Sequence, residues 1–236
     1  MRRSNEAMLM AVADKLGDLT DEVTFVGGSV VCLLATDPDA LPPRGTQDVD
    51  AVVEVVTRMD YYKYEERLRS NGFQNDMFGP VCRFKQGILV LDLVPIEPDV
   101  LGFSNRWYPA AVRSRTLRPL PNGKQIFVLS EACFIATKFE AFRDPSRQFN
   151  NDLMVSHDFE DILVVVAGNP NIADLVDQSE PEVRNYIVRE FQQILANRLC
   201  HESIEAHFDM NSDESEAIEL IYSRMQQIAA LAPSES

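Results

Sequence analysis

Two aspartates one residue apart, Asp48 and Asp50, interrupt the apolar stretch of TQDVDAVVEV. A buried carboxylate is costly unless it is paired, hydrogen-bonded or bound to metal. The valines around them read as a buried strand, Asp48–Val55, in which side chains i and i+2 face the same way. Both acids therefore project from one face, with Val49 and Ala51 on the other. They repel each other unless a cation sits between them. Mg2+ suits such oxygen donors, because it takes a few carboxylates plus the phosphates of a substrate. The rival reading has Asp48 closing the preceding loop and Asp50 pairing with an arginine.

A third acid, Asp92, stands in GILVLDLVP between Leu91 and Leu93. It asks for a metal or an ion pair. If its strand lies beside Asp48–Val55, three carboxylates converge, and clusters of this kind hold two metal ions in polymerase-type phosphoryl transfer. Upstream, Gly27-Gly28-Ser29 ends a short strand, Thr24–Val26, and opens an apolar helix over Ser29–Ala35. Glycines let a backbone approach a phosphate closely, and a helix start offers free N–H groups. The Ser29 hydroxyl can donate to a phosphate oxygen. A GGS step is also a common tight turn, and it matches neither the P-loop nor the GxGxxG pattern.

The rest of the chain reads as strands first and helices afterwards. Residues 5–17 read as a helix with Ala7, Met8, Ala11, Val12 and Leu16 on one side. TDPDALPPRG is a loop by its prolines, glycine and aspartates. Tyr61–Asn71 reads as a helix stopping at Asn71-Gly72. Val81–Phe84 and Ile88–Pro95 read as a hairpin around Lys85-Gln86-Gly87. Thr116–Leu120 and Gln125–Leu129 form a second, turning at Pro121–Lys124. Beyond Ser130, a plausible N-cap, helices are expected to Arg143, from a Ser156 cap to Gly168, over Glu180–Leu199 and over Asp213–Leu231. Only the Pro-Ser-Glu-Ser tail reads as disordered. The pattern is α+β, with residues 1–129 as a sheet-bearing core and 130–236 as a helical subdomain.

Charge and cysteine use narrow the function classes. The chain carries −15 over 236 residues. Residues 101–150 hold eight basic and three acidic side chains, whereas residues 151–236 hold four and seventeen. An acidic surface repels nucleic acid, so a polyanion would have to use the central basic segment. Cys32, Cys82, Cys133 and Cys200 form no CxxC pair and read as reduced core thiols. His157, His201 and His207 make no zinc pattern. No apolar run approaches the roughly 18 residues of a membrane span, and the first helix reads as that of a cytoplasmic protein.

The order Gly-Gly-Ser, Asp-x-Asp on a strand and a later strand Asp resembles the nucleotidyltransferase superfamily of the DNA polymerase β type. The fuller text, FVGGSVV, RGTQDVDAVVEV, LDLVP, LGFSNRWYP, ATKFEAFR and SHDFEDI, resembles the AbiEii/AbiGii toxin branch over roughly residues 20–170. The resemblance implies a mixed sheet flanked by helices, with a helical subdomain contributing Lys138 and Asp158. It implies Gly27, Gly28 and Ser29 on a nucleoside triphosphate. It implies Asp48, Asp50 and Asp92 on Mg2+, one ion or two, with Asp92 helping to activate an acceptor hydroxyl. It implies Lys138 of KFEA on the triphosphate, and Asp158, with Asp161 as runner-up, as the family's final acid. It further implies NMP transfer from an NTP, with RNA or tRNA as acceptor, in a type IV toxin–antitoxin or phage-defence setting with a cognate antitoxin. Eighteen residues separate Ser29 from Asp48, more than the superfamily's usual spacing.

The same residues have plainer readings. Lys138 can pair with a carboxylate, and Asp158 and Asp161 can stabilise a helix start. Arg44 can reach phosphate or cap a loop. Arg106-Trp107-Tyr108 can form a base-stacking wall or a packed corner. Arg143 and Arg147 can carry an acceptor's phosphates or stay solvated. The acceptor can also be a protein or a small molecule, since cationic antibiotics seek acidic clefts, or the fold can serve as a non-catalytic nucleotide-binding module.

Overall fold

The computed structural model describes residues 2–37, 41–208 and 215–233. The chain divides into two compact units: Met1–Cys32 with Arg44–Ser130, and Leu33–Pro43 with Glu131–Ser236. The protein is α+β. Part of the expected loop 36–46, residues 38–40, and most of the expected C-terminal tail lie outside the described residues.

The first unit is built on seven strands: β1 Val23–Val26, β2 Val49–Val53, β3 Gln74–Asn75, β4 Arg83–Gln86, β5 Leu89–Pro95, β6 Thr116–Pro119 and β7 Gln125–Val128. Their order is β3-β4-β5-β2-β1-β7-β6. The β2–β5 and β1–β7 pairs are parallel and the others antiparallel, so the sheet is mixed. Val49, Ala51, Val53, Leu91 and Leu93 are buried, as central strands covered by helices require.

Helix α1, Arg2–Leu16, buries Asn5, Leu9, Val12, Ala13 and Leu16. That stripe differs from the expected Ala7, Met8 and Ala11 side. A polar residue, Asn5, belongs to the buried face and disguises the helical period. One turn of 3₁₀ helix, Gly28–Val30, runs into a single α-turn, α2 Val31–Leu34, where a longer helix over Ser29–Ala35 was expected. Helix α3, Arg58–Ser70, starts at Thr57, whose hydroxyl accepts from the Asp60 N–H. It packs on the sheet through Tyr61, which donates to the Leu93 carbonyl at 2.7 Å. Two short helices follow β5: α4, Pro98–Leu101, and α5, Tyr108–Arg113, neither expected from the sequence.

The first hairpin differs from expectation in its register. Gln86 pairs with Leu89, so the turn is Gly87-Ile88 rather than Lys85-Gln86-Gly87. Gly87 has φ +61°, which a two-residue hairpin turn needs at its first central position. The strand therefore begins at Arg83, and Arg83 lies opposite Asp92. The second hairpin pairs Pro119 with Gln125 and turns where the sequence indicated.

The second unit is helical: α6 Glu131–Arg143, α7 His157–Gly168, α8 Ile172–Asp177, α9 Pro181–Leu195, α10 Cys200–Glu205 and α11 Ser215–Ala229. Ser156 caps α7 by accepting from the Phe159 N–H. Phe139 and Phe191 meet edge to face at 5.0 Å in the core. The Arg224 guanidinium donates to the Val166 carbonyl at 2.9 Å and also to that of Ala167, closing the end of α7. The expected single helix over Glu180–Leu199 stops at Leu195. There the Asn197 side chain accepts from the Leu199 N–H and offers the backbone a turn instead.

All four cysteines are buried, and none forms a disulfide. Burial, followed by the charge of Asp92, pushes the Cys82 thiol up to about 12. Burial and then Glu202 push Cys200 up to about 11. Native protein at pH 8 should therefore react only slowly with a thiol reagent, and denatured protein should release all four thiols at once. Fast native labelling of Cys82 would contradict this environment.

Candidate active site

One row of the sheet carries the chemistry. Across β4, β5, β2 and β1 the partners run Arg83, Asp92, Asp50 and Val26. Register partners on neighbouring strands share a face and lie about 4.8 Å apart. Asp48, two residues before Asp50, belongs to the same face. Three carboxylates and one guanidinium are thus gathered on one side of the sheet.

Arg83 binds two of the three acids. Its Nε donates to Asp92 Oδ1 at 2.8 Å and its Nη2 to Asp92 Oδ2 at 2.7 Å. The same Nη2 lies 2.8 Å from Asp48 Oδ2. The hydrogen bonds to Asp92 hold Arg83 above its ordinary pKa against the opposing effect of burial. Sequence reasoning missed this residue, because the misplaced turn set Arg83 out of register with Asp92. An odd shift of register sends a side chain to the other face.

Asp50 is held differently. It seats against Gly27, where an added Cβ would lie 2.0 Å from Asp50 Oδ2 and 2.9 Å from its Cβ. Gly27 also has φ +73°, a conformation glycine adopts without strain. Two residues on, Ser29 is fully buried, and among the described residues its hydroxyl has no hydrogen-bond partner. A buried hydroxyl left unpaired costs about 1–3 kcal/mol. The helix that Gly27-Gly28-Ser29 opens is too short to develop a full dipole. A phosphate there would rest on backbone N–H groups and this hydroxyl.

Helix α1 positions Asp48. Asn5 Nδ2 donates to the Arg44 carbonyl at 3.0 Å, and Asn5 Oδ1 accepts from the Thr46 N–H at 3.3 Å. The Thr46 hydroxyl then lies 3.0 Å from both the backbone oxygen and Oδ1 of Asp48. Arg44 thus contributes its backbone to the approach of β2.

The three carboxylates are hard oxygen donors, the kind a Mg2+ ion prefers. Among the described residues, no group of three or more His, Cys, Asp or Glu side chains is placed to hold a metal ion. Asp48 and Asp92 point at the same guanidinium instead. The donor set has the chemistry a divalent ion takes, but as placed it is not assembled around one, because a protein cation holds two of its members.

Lys138, Asp158 and Asp161 come together within the second unit. Lys138 Nζ lies 2.9 Å from Asp158 Oδ1 and 2.7 Å from Asp161 Oδ2. Arg147 reaches Asp158 from outside at 3.3 Å. Lys138 is 8% exposed and Asp161 1%. Burial pulls the lysine pKa down, but the charges of Asp161 and Asp158 outweigh it, and the ammonium is held above its ordinary value.

The central basic segment offers less free charge than its composition suggests. Lys124 pairs with Asp14, Lys138 with the two aspartates, Arg143 with Glu190 and Arg147 with Asp158. Arg115 lies 4.0 Å over the Phe127 ring, and Arg106 lies 4.8 Å over Trp107, which is buried. Of residues 106–108, Trp107 is buried, Tyr108 is half-buried and Arg106 is exposed.

No protein-family model matches the chain, and no curated protein matches it. Among the described residues, no helix is long and apolar enough to cross a membrane.

Two stability measurements check this geometry. Gly27→Ala must both adopt an unfavourable φ and displace Asp50, so urea unfolding should show a loss of about 1–3 kcal/mol. A neutral result would mean that Asp50 does not sit on Gly27. Lys138→Met should cost about 3–5 kcal/mol at pH 7, because it removes the ammonium that offsets the buried Asp161 carboxylate. The raised lysine pKa makes its contribution full below about 10.5 and lets it fade as pH rises through the folded value. The gap between wild type and Lys138→Met should therefore narrow above pH 10.5, and a constant gap would assign the loss to packing.

Proposed function

We propose that this protein is a Mg2+-dependent nucleotidyltransferase that moves a nucleoside monophosphate from an NTP to an acceptor hydroxyl. The observation that carries the reading is the convergence of Asp48, Asp50 and Asp92 on one sheet face, with Asp50 resting on the Gly27 turn. The motif resemblance to the AbiEii/AbiGii toxins supports it, as do the mixed sheet and the Ser29 hydroxyl that has no hydrogen-bond partner among the described residues.

In this reading Gly27, Gly28 and Ser29 bind and orient the triphosphate through backbone N–H groups and one hydroxyl. Asp48, Asp50 and Asp92 would hold the divalent ion. Bound there, Mg2+ would neutralise the transferring phosphate and lower the pKa of the attacking hydroxyl. The acceptor oxygen bonds to the α-phosphorus and pyrophosphate leaves. The hydroxyl proton passes to a carboxylate of the cluster, which the resemblance assigns to Asp92. Positioning and charge neutralisation supply most of the rate.

The resemblance makes RNA, tRNA ends in particular, the first acceptor to test, in a toxin–antitoxin or defence setting. A protein or small-molecule acceptor is the second reading. It is favoured by the net charge of −15 and by the ion pairs that occupy Lys124, Arg143 and Arg147.

Full-length protein with Mg2+, each of four α-labelled NTPs and total RNA, total protein or an aminoglycoside should label one acceptor class. Asp48→Asn with Asp50→Asn should reduce labelling to the level of the protein-free control while the circular dichroism spectrum is unchanged. Undiminished labelling by the double variant would refute the carboxylate mechanism.

A further inference from the structure

Arg83 has no part in the reaction described above, yet it pairs with two of the three acids that the reaction uses. It is held from both ends. Its backbone N–H donates to the Pro80 carbonyl at 2.9 Å, and its carbonyl accepts from the Asp76 N–H at 2.9 Å. Its side chain passes close to Gly79, where an added Cβ would lie 2.9 Å from Arg83 Cδ. The guanidinium then forks onto both oxygens of Asp92 and reaches Asp48. Bidentate arginine–carboxylate pairing is among the stronger charge-assisted contacts a protein makes. The Arg83 side chain is 26% exposed, so it has a way out towards solvent that a fully buried ion pair lacks.

The Arg83 guanidinium occupies carboxylate oxygens of Asp48 and Asp92 that a metal ion would need. Asp48 and Asp92 cannot turn the same lone pairs to a metal and to Arg83. We propose that Arg83 is the resident counter-ion of the carboxylate cluster, and that it releases Asp48 and Asp92 when a divalent cation is taken up. The proposal rests on the reading of these acids as metal ligands. Uptake of metal is then an exchange that must break the Arg83 contacts, so affinity for a free divalent ion is low. A triphosphate offers the freed guanidinium a new anion, so metal and nucleotide bind better together than apart. Arg83 is a positioning residue that keeps the acids folded onto the sheet and gates the site until both ligands arrive.

Mn2+ binding, followed by electron paramagnetic resonance on full-length protein, tests the exchange without any turnover. Wild type, Arg83→Met and Arg83→Lys are titrated with and without a non-hydrolysable NTP analogue. Arg83→Met should bind Mn2+ alone about tenfold or more tightly than wild type, the scale of one charge-assisted pair. It should also lose most of the nucleotide's enhancement. Arg83→Lys, which keeps the charge without the fork, should fall between. Equal Mn2+ affinity in wild type and Arg83→Met would overturn the counter-ion role and leave the metal reading intact. Absence of Mn2+ binding by every protein, with or without nucleotide, would overturn the metal reading itself. Should Arg83→Met fail to fold, the Arg83 Nε–H resonance of wild type gives the answer. Its shift should move towards that of a solvated arginine on Mg2+ and nucleotide addition, and an unmoved resonance would overturn the proposal.

Discussion

A sheet face that carries three carboxylates has to be neutralised from within reach of that face. Here the neutralising charge comes from the neighbouring strand, through the cross-strand pairing of Arg83 with Asp92. The parallel pairing of Asp50 with Asp92 brings the acids together, and the hairpin turn at Gly87-Ile88 brings the arginine to them. A one-residue slip of the β2–β5 register would part Asp92 from the Asp50 face, and a one-residue slip of the hairpin would turn Arg83 away from both. The hydrophobic pattern of β2 and β5 and the charge pattern of the site therefore depend on the same registers.

The second unit meets a similar demand in its own way. Lys138 is sunk between α6 and α7 and pairs with two aspartates, one of which is almost wholly buried. Taking these charges out of water is expensive, and the pairing is what keeps them ionised. The KFEA and SHDFEDI motifs are thus explained at the level of packing, whatever further role they have. The basic segment around them likewise commits Lys124, Arg143, Arg147 and Arg115 to internal pairs and ring contacts, which composition alone does not reveal.

Much of this arrangement was legible in the sequence, for identifiable reasons. Aspartates inside valine-rich runs signal a strand face with a polar task, and Asp48, Asp50 and Asp92 do share one. The Pro121–Lys124 turn and the Ser156 cap were carried by local residue chemistry and stand where the sequence put them. Arg83 was hidden because its partner depends on a hairpin register, and the Lys85-Gln86-Gly87 turn misplaced it. Asn5 was hidden because a buried asparagine breaks an apolar stripe, and its partners at Arg44 and Thr46 are distant in sequence. The seat of Asp50 on Gly27 needed the β1–β2 pairing, which no local pattern reveals.

We propose that this face of the sheet takes a divalent cation in the place where Arg83 now stands. The most direct measurement is anomalous diffraction from crystals grown with Mn2+ and a non-hydrolysable NTP analogue. An anomalous peak coordinated by Asp48, Asp50 and Asp92 is expected, with the Arg83 guanidinium withdrawn from Asp48 and Asp92. Crystals with the analogue bound, no peak among the three aspartates and Arg83 still forked onto Asp92 would contradict it.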